Sequence, residues 1–125
     1  MAAGRGGRAF SPFSGDLVII LTKSGATAES VYLESLLEKR VNVKLWLISF
    51  DENGELSQKM DNKIIVKMAH EGDLWDIVPN NSTTINLILL QTVAMELSKR
   101  LNLSLEGDFK PNHPGGAIGV ALRDE

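Results

Sequence analysis

Five apolar residues in a row, Leu17-Val18-Ile19-Ile20-Leu21, broken at once by Thr22-Lys23-Ser24-Gly25-Ala26-Thr27, constrain the fold of this chain more than any other stretch. A run without polar alternation suits a strand buried on both faces, as in a parallel sheet. Parallel neighbours must be joined by a crossover. A helical pattern supplies it, with Val31, Leu33, Leu36 and Leu37 at mixed i, i+3 and i+4 spacings and an end near Arg40. Val43 to Phe50 reads as a second strand, Asp51-Glu52-Asn53-Gly54 as a turn, Glu55 to Met60 as a short helix and Lys63 to Met68 as a third strand. Strands alternating with helices predict an α/β fold built on a parallel sheet, doubly wound in type.

The stretch from Ala69 to Asn81 is irregular, with Gly72 and Pro79. Ser82 can cap a helix running to about Leu101. That helix is apolar around most of its circumference (Ile85, Leu87 to Leu90, Val93, Ala94, Leu97), the pattern of a helix that is buried or packed into a subunit interface. Lys99 and Arg100 suit the negative end of its dipole. Met1 to Ser14, rich in Gly, Ala, Arg and Ser without periodicity, reads as a flexible leader, and one domain is expected over 15–125. Three strands and two long helices make a thin parallel sheet, so the chain reads as part of a domain or as one completed by self-association.

Composition narrows the chemistry. With 125 residues the chain is the size of one domain. A net charge of -3 and a pI near 5.4 leave no footprint for a phosphate backbone, so nucleic acid is not an expected partner. No apolar run approaches the roughly 18 residues of a membrane span. Membrane partners are therefore not expected, and a cytoplasmic location is. The chain has no cysteine and two histidines, His70 and His113, which argues against a built-in metal.

The candidate chemistry sits where strands end. Thr22, Ser24, Gly25 and Thr27 lie between a buried strand and a helix N-terminus, where open α/β sheets bind ligands. A helix start offers free N–H groups and partial positive charge, three hydroxyls add donors, and Gly25 allows close backbone approach. The set suits a phosphate monoester; an ordinary Ser/Thr-rich βα turn would look the same. Glu29, in the first helical turn, reads either as a complement to the helix dipole or as a catalytic carboxylate. Glu71, after the third strand, is at the same sheet edge, although a lone loop glutamate is usually only solvated. His113 precedes Pro114-Gly115-Gly116 and could be held rigidly for proton transfer near neutral pH, or be incidental to a turn. Ser82 and Thr83, in the Ser82-Thr83-Thr84 cluster, are possible substrate-facing hydroxyls; an N-cap explains one of them.

Three segments together carry a resemblance. Gly15 to Glu29 (GDLVIILTKSGATAE) resembles the phosphosugar-binding segment of sugar isomerase (SIS) domains, Pro79 to Thr84 resembles their later Ser-Thr-Thr helix start, and Asn112 to Gly119 (NHPGGAIG) resembles the His-Pro-Gly-Gly segment of the arabinose 5-phosphate isomerase branch. The order and spacing agree from Gly15 to about Val120. The resemblance implies a three-layer α/β/α Rossmann-like SIS domain without the family's usual N-terminal part, which holds its first strand, glycine-rich loop and active-site lysine. It implies a cofactor-free aldose–ketose isomerase that interconverts D-arabinose 5-phosphate and D-ribulose 5-phosphate, or a phosphosugar-binding module without turnover. It implies a small sugar phosphate as ligand and a homotetramer or homodimer. Residue by residue, Glu29, Glu71 and His113 match the proton-transfer set, and Thr22, Ser24 and Thr27 the phosphate-binding hydroxyls. Either glutamate could be the base, with His113 in ring opening.

Overall fold

The computed structural model describes residues 15–40 and 42–123. The leader expected over Met1 to Ser14 lies outside the described residues. The chain divides into two units, Met1–Ser82 and Thr83–Glu125.

In the first unit, strand β1 (Leu17–Thr22), helix α1 (Ala28–Leu37), strand β2 (Lys44–Ser49), helix α2 (Glu55–Lys59) and strand β3 (Lys63–Ile65) follow in order. The strands form one parallel sheet in the order β1-β2-β3, with Leu17 opposite Lys44 and Thr22 opposite Ser49, then Leu47 opposite Lys63 and Ser49 opposite Ile65. The expected parallel α/β architecture is present. The third strand is shorter than Lys63 to Met68, although the Val66 N–H still donates to the Ser49 carbonyl at 2.9 Å. Strand order among the described residues does not reverse, and right-handed crossovers then place α1 and α2 on the same face. Lys59 of α2 accordingly reaches Glu34 and Glu38 of α1 at 2.7 and 3.0 Å.

Strand periodicity sorts the side chains. On the helix-covered face, Ile20, Leu47, Leu56 and Met60 form the buried core, with Val31 and Leu45 packed against it. On the opposite face Leu17, Leu21, Trp46 and Ile64 remain 38 to 55% exposed. The continuous apolar run is thus two interleaved faces, of which only one is closed within the first unit.

Helix α3 (Asn81–Arg100) starts where the first unit ends and continues into the second. There it is followed by a π-helical turn (Leu105–Phe109), a 3-10 turn (Lys110–Asn112) and helix α4 (Gly116–Ala121). The periodicity of α3 suits burial or packing into a subunit interface, and Leu87, Ile88, Val93, Met95 and Leu97 are exposed.

Candidate active site

Strand β1 ends in the expected turn, which is held by its own hydroxyls. The Gly25 N–H donates to Thr22 Oγ1 at 3.2 Å, and Thr22 Oγ1 lies 3.4 Å from Thr27 Oγ1. Ser24 Oγ accepts the Ala26 N–H at 3.2 Å. Thr22 is buried, whereas Ser24 and Thr27 are exposed. Thr27 is the N-cap of α1 and its side chain makes no capping bond. The helix therefore presents first-turn N–H groups that lack a side-chain partner from the cap, the arrangement an anion can occupy.

Gly25 has φ +65°, in the left-handed region that favours glycine. A Cβ there would lie 3.1 Å from Ser57 Oγ and 3.3 Å from the Gly54 Cα, while a Cβ on Gly54 would lie 2.0 Å from the Ser24 carbonyl oxygen. The Leu56 N–H donates to the Gly25 carbonyl at 2.8 Å. Glycine is needed here by the turn and by a backbone pressed on the start of α2.

Glu71 departs furthest from expectation. It is fully buried, not solvated. Its Oε2 accepts the N–H groups of Asn80 and Ser82 at 3.0 and 2.9 Å, and its Oε1 is paired with Lys23 Nζ at 3.0 Å. Its backbone joins in, because the Asn81 N–H donates to the Glu71 carbonyl and the Glu71 N–H donates to Asp76 Oδ1. The Ser82 N–H does most to hold the carboxyl down. Burial opposes it, and Asn80, Lys23 and the Ser82 side chain add to the lowering, leaving a pKa of about 2 against an ordinary 4.5. A carboxylate held so low is a poor proton acceptor near neutral pH. In this state Glu71 is the hub that ties the loop after β3 to the start of α3.

Ser82, a possible substrate-facing residue by sequence, is buried in the first turn of α3, and its backbone N–H donates to Glu71. Helix α3 begins one residue earlier, at Asn81, so Glu71 does the capping that its sequence assigns to Ser82. Thr83 is exposed on α3, and Glu29 is exposed in the first turn of α1.

His113 belongs to the second unit. Its Nδ1 lies 3.0 Å from the Phe109 carbonyl oxygen, and its ring stacks on Phe109 at 3.9 Å between centroids and 13° between planes. A proton on Nδ1 satisfies that carbonyl and leaves Nε2 as the basic nitrogen. His113 also lines a small cavity with Lys110, Pro114, Gly119, Leu122 and Arg123. The His-Pro-Gly-Gly segment signalled a held imidazole; Phe109, which holds it, carried no signal of its own.

Lys23 was missed as well. It stands between two hydroxyl residues of the turn, and the only hint in sequence is a cation next to phosphate-suited groups. Among the described residues no group of three or more His, Cys, Asp or Glu side chains could hold a metal ion, and no helix is long and apolar enough to cross a membrane.

No family model matches the chain. Over 107 residues, 86% of its length, it is 34% identical to the arabinose 5-phosphate isomerase KdsD of Escherichia coli K12 and 32% identical to the KdsD of Pseudomonas aeruginosa PAO1, covering 32% of each. A solved structure, E. coli CFT073 c3406 in complex with arabinose 5-phosphate, matches with a TM-score of 0.72 and 27% identity, over 79% of this chain and 52% of that one. The sequence and the parallel sheet lead to the same place: this chain is a homologue of the arabinose 5-phosphate isomerases and spans about a third of the length of the curated relatives it matches.

Proposed function

We propose that the chain acts on a phosphorylated sugar as an aldose–ketose isomerase, interconverting D-arabinose 5-phosphate and D-ribulose 5-phosphate. The observation that carries this reading is the similarity to arabinose 5-phosphate isomerases over 86% of the chain, supported by a structural neighbour that holds arabinose 5-phosphate. The uncapped N-terminus of α1 and the hydroxyls of Ser24 and Thr27 would take the phosphate.

The reaction moves one proton. A base removes the C2 hydrogen of the open-chain aldose, and the electron pair forms the C1–C2 double bond of an enediol while the C1 oxygen gains a proton. The carried proton then goes to C1, and the O2 hydroxyl loses its own as the C2 carbonyl forms. Every step is a proton transfer between substrate and a side chain. Glu71 or Glu29 serves as the base, and His113, with Nε2 as its basic nitrogen, serves ring opening. Self-association and a cytoplasmic location belong to the same reading.

Turnover is the test. Purified protein mixed with arabinose 5-phosphate, followed by NMR, should build up ribulose 5-phosphate, and His113→Ala should slow it by about a hundredfold or more. Glu29→Gln beside Glu71→Gln assigns the base to whichever carboxylate's loss abolishes exchange of the C2 hydrogen with solvent. A folded sample that binds the sugar phosphate and never converts it would replace the isomerase with a binding module.

A further inference from the structure

Lys23 is held at its backbone, and its half-exposed side chain reaches Glu71. Its carbonyl accepts the Phe50 N–H at 3.1 Å and the Ser49 hydroxyl at 3.3 Å, which fixes the residue against the end of β2. Its side chain is 43% exposed, while the Glu71 side chain it pairs with is fully buried. The two oxygens of Glu71 are used differently. Oε2 holds two backbone N–H groups of the α3 start, and the salt bridge to Lys23 is what Oε1 has. One oxygen is therefore committed to the fold, and the other depends on a flexible ammonium that belongs to the anion-suited turn.

We propose that Lys23 is an exchangeable ligand: it holds Glu71 Oε1 while the turn is empty and moves to the phosphate of the sugar when substrate binds, leaving Oε1 free. The inference rests on the phosphosugar reading above. A dianionic phosphate at the turn competes for the ammonium with a carboxylate that bears a single charge. The lysine stem is long and unbranched enough to change partners without moving the backbone. Of the charged side chains, Lys23 pairs with the Glu71 carboxylate and Asp76 accepts the Glu71 N–H. Departure of Lys23 removes the cation that, among the described residues, is paired with Glu71, while the N–H groups of Asn80 and Ser82 stay on Oε2. Glu71 then becomes a stronger base only in the occupied site.

The test is calorimetric titration of wild type, Lys23→Met and Glu71→Gln with arabinose 5-phosphate and with inorganic phosphate. It is paired with the carboxyl carbon NMR signal of Glu71 in the wild type. Lys23→Met should bind both probes about tenfold more weakly. Glu71→Gln, which no longer competes for the ammonium, should bind them more tightly than wild type. The Glu71 carboxyl signal should shift on saturation with arabinose 5-phosphate. A lysine with a purely structural role would change stability in Lys23→Met while leaving affinity unmoved and the Glu71 signal still. Either result, with wild type binding the sugar, overturns the exchange and leaves the isomerase reading standing. Wild type that binds neither probe overturns both. Should Glu71→Gln fail to fold, Lys23→Met and the carboxyl signal decide alone.

Discussion

Two buried positions, Gly25 and Glu71, show what a single residue has to satisfy here. Gly25→Ala must hold a left-handed backbone and press a methyl group to within 3.1 Å of Ser57 Oγ. The expected loss is about 1 to 3 kcal/mol, read as a lower urea midpoint at unchanged slope. Glu71 has a pKa depressed from 4.5 to about 2, so its ionised form favours the folded state above pH 4.5, and that contribution disappears as pH falls from 4.5 towards 2. Wild type should therefore exceed Glu71→Gln in thermal midpoint at neutral pH, with the gap closing through that acid window. A gap that stays constant down to acid pH would show that the carboxylate is not ionised by these contacts. Sequence reading located both residues but not the contacts they make in the fold. The reason is that Glu71's partners, Lys23 and the N–H groups of Asn80 and Ser82, come from segments that are brought together only by folding.

At the scale of elements, most of the first unit was legible. Local signals mark it: the apolar runs of β1 and β2, the turn at Asp51 to Gly54, and the hydroxyl break before α1. Less legible was the end of β3, because pairing with β2 stops at Ile65 while the apolar pattern of the sequence runs on to Met68. The docking of α2 on α1 was also invisible, since it depends on Lys59 meeting Glu34, which is buried, and Glu38, which is exposed. Those partners raise the Lys59 pKa above 10.5, so the pair stabilises the fold fully below that pH and is lost as the lysine deprotonates. Lys59→Met should lower the urea midpoint at pH 7, and the difference from wild type should narrow as pH rises beyond 10.5. An unchanged midpoint at pH 7 would mean that the bridge is held at no net gain, as many exposed pairs are.

The whole molecule leaves apolar surface uncovered. Leu17, Leu21, Trp46 and Ile64 stand on one sheet face, and Leu87, Ile88, Val93 and Leu97 on α3. Scattered exposed apolar residues are normal, but a helix apolar on this scale supports the proposal of self-association. In light scattering the wild type should be larger than one 13.7 kDa chain, and Ile88→Glu with Leu89→Glu should dissociate or unfold it. A soluble double variant with the wild-type assembly size would refute that. What the sequence by itself determined is the order of strands and helices and the place of the hydroxyl turn, because periodicity, glycine and capping signals act over a few neighbouring residues. Only the tertiary structure decided that Glu71 is buried, that Lys23 pairs with it, and that Leu17, Leu21, Trp46 and Ile64 stay exposed. Burial, ion pairing and face-covering are settled by segments far apart in the chain, and no local pattern records which of them will meet.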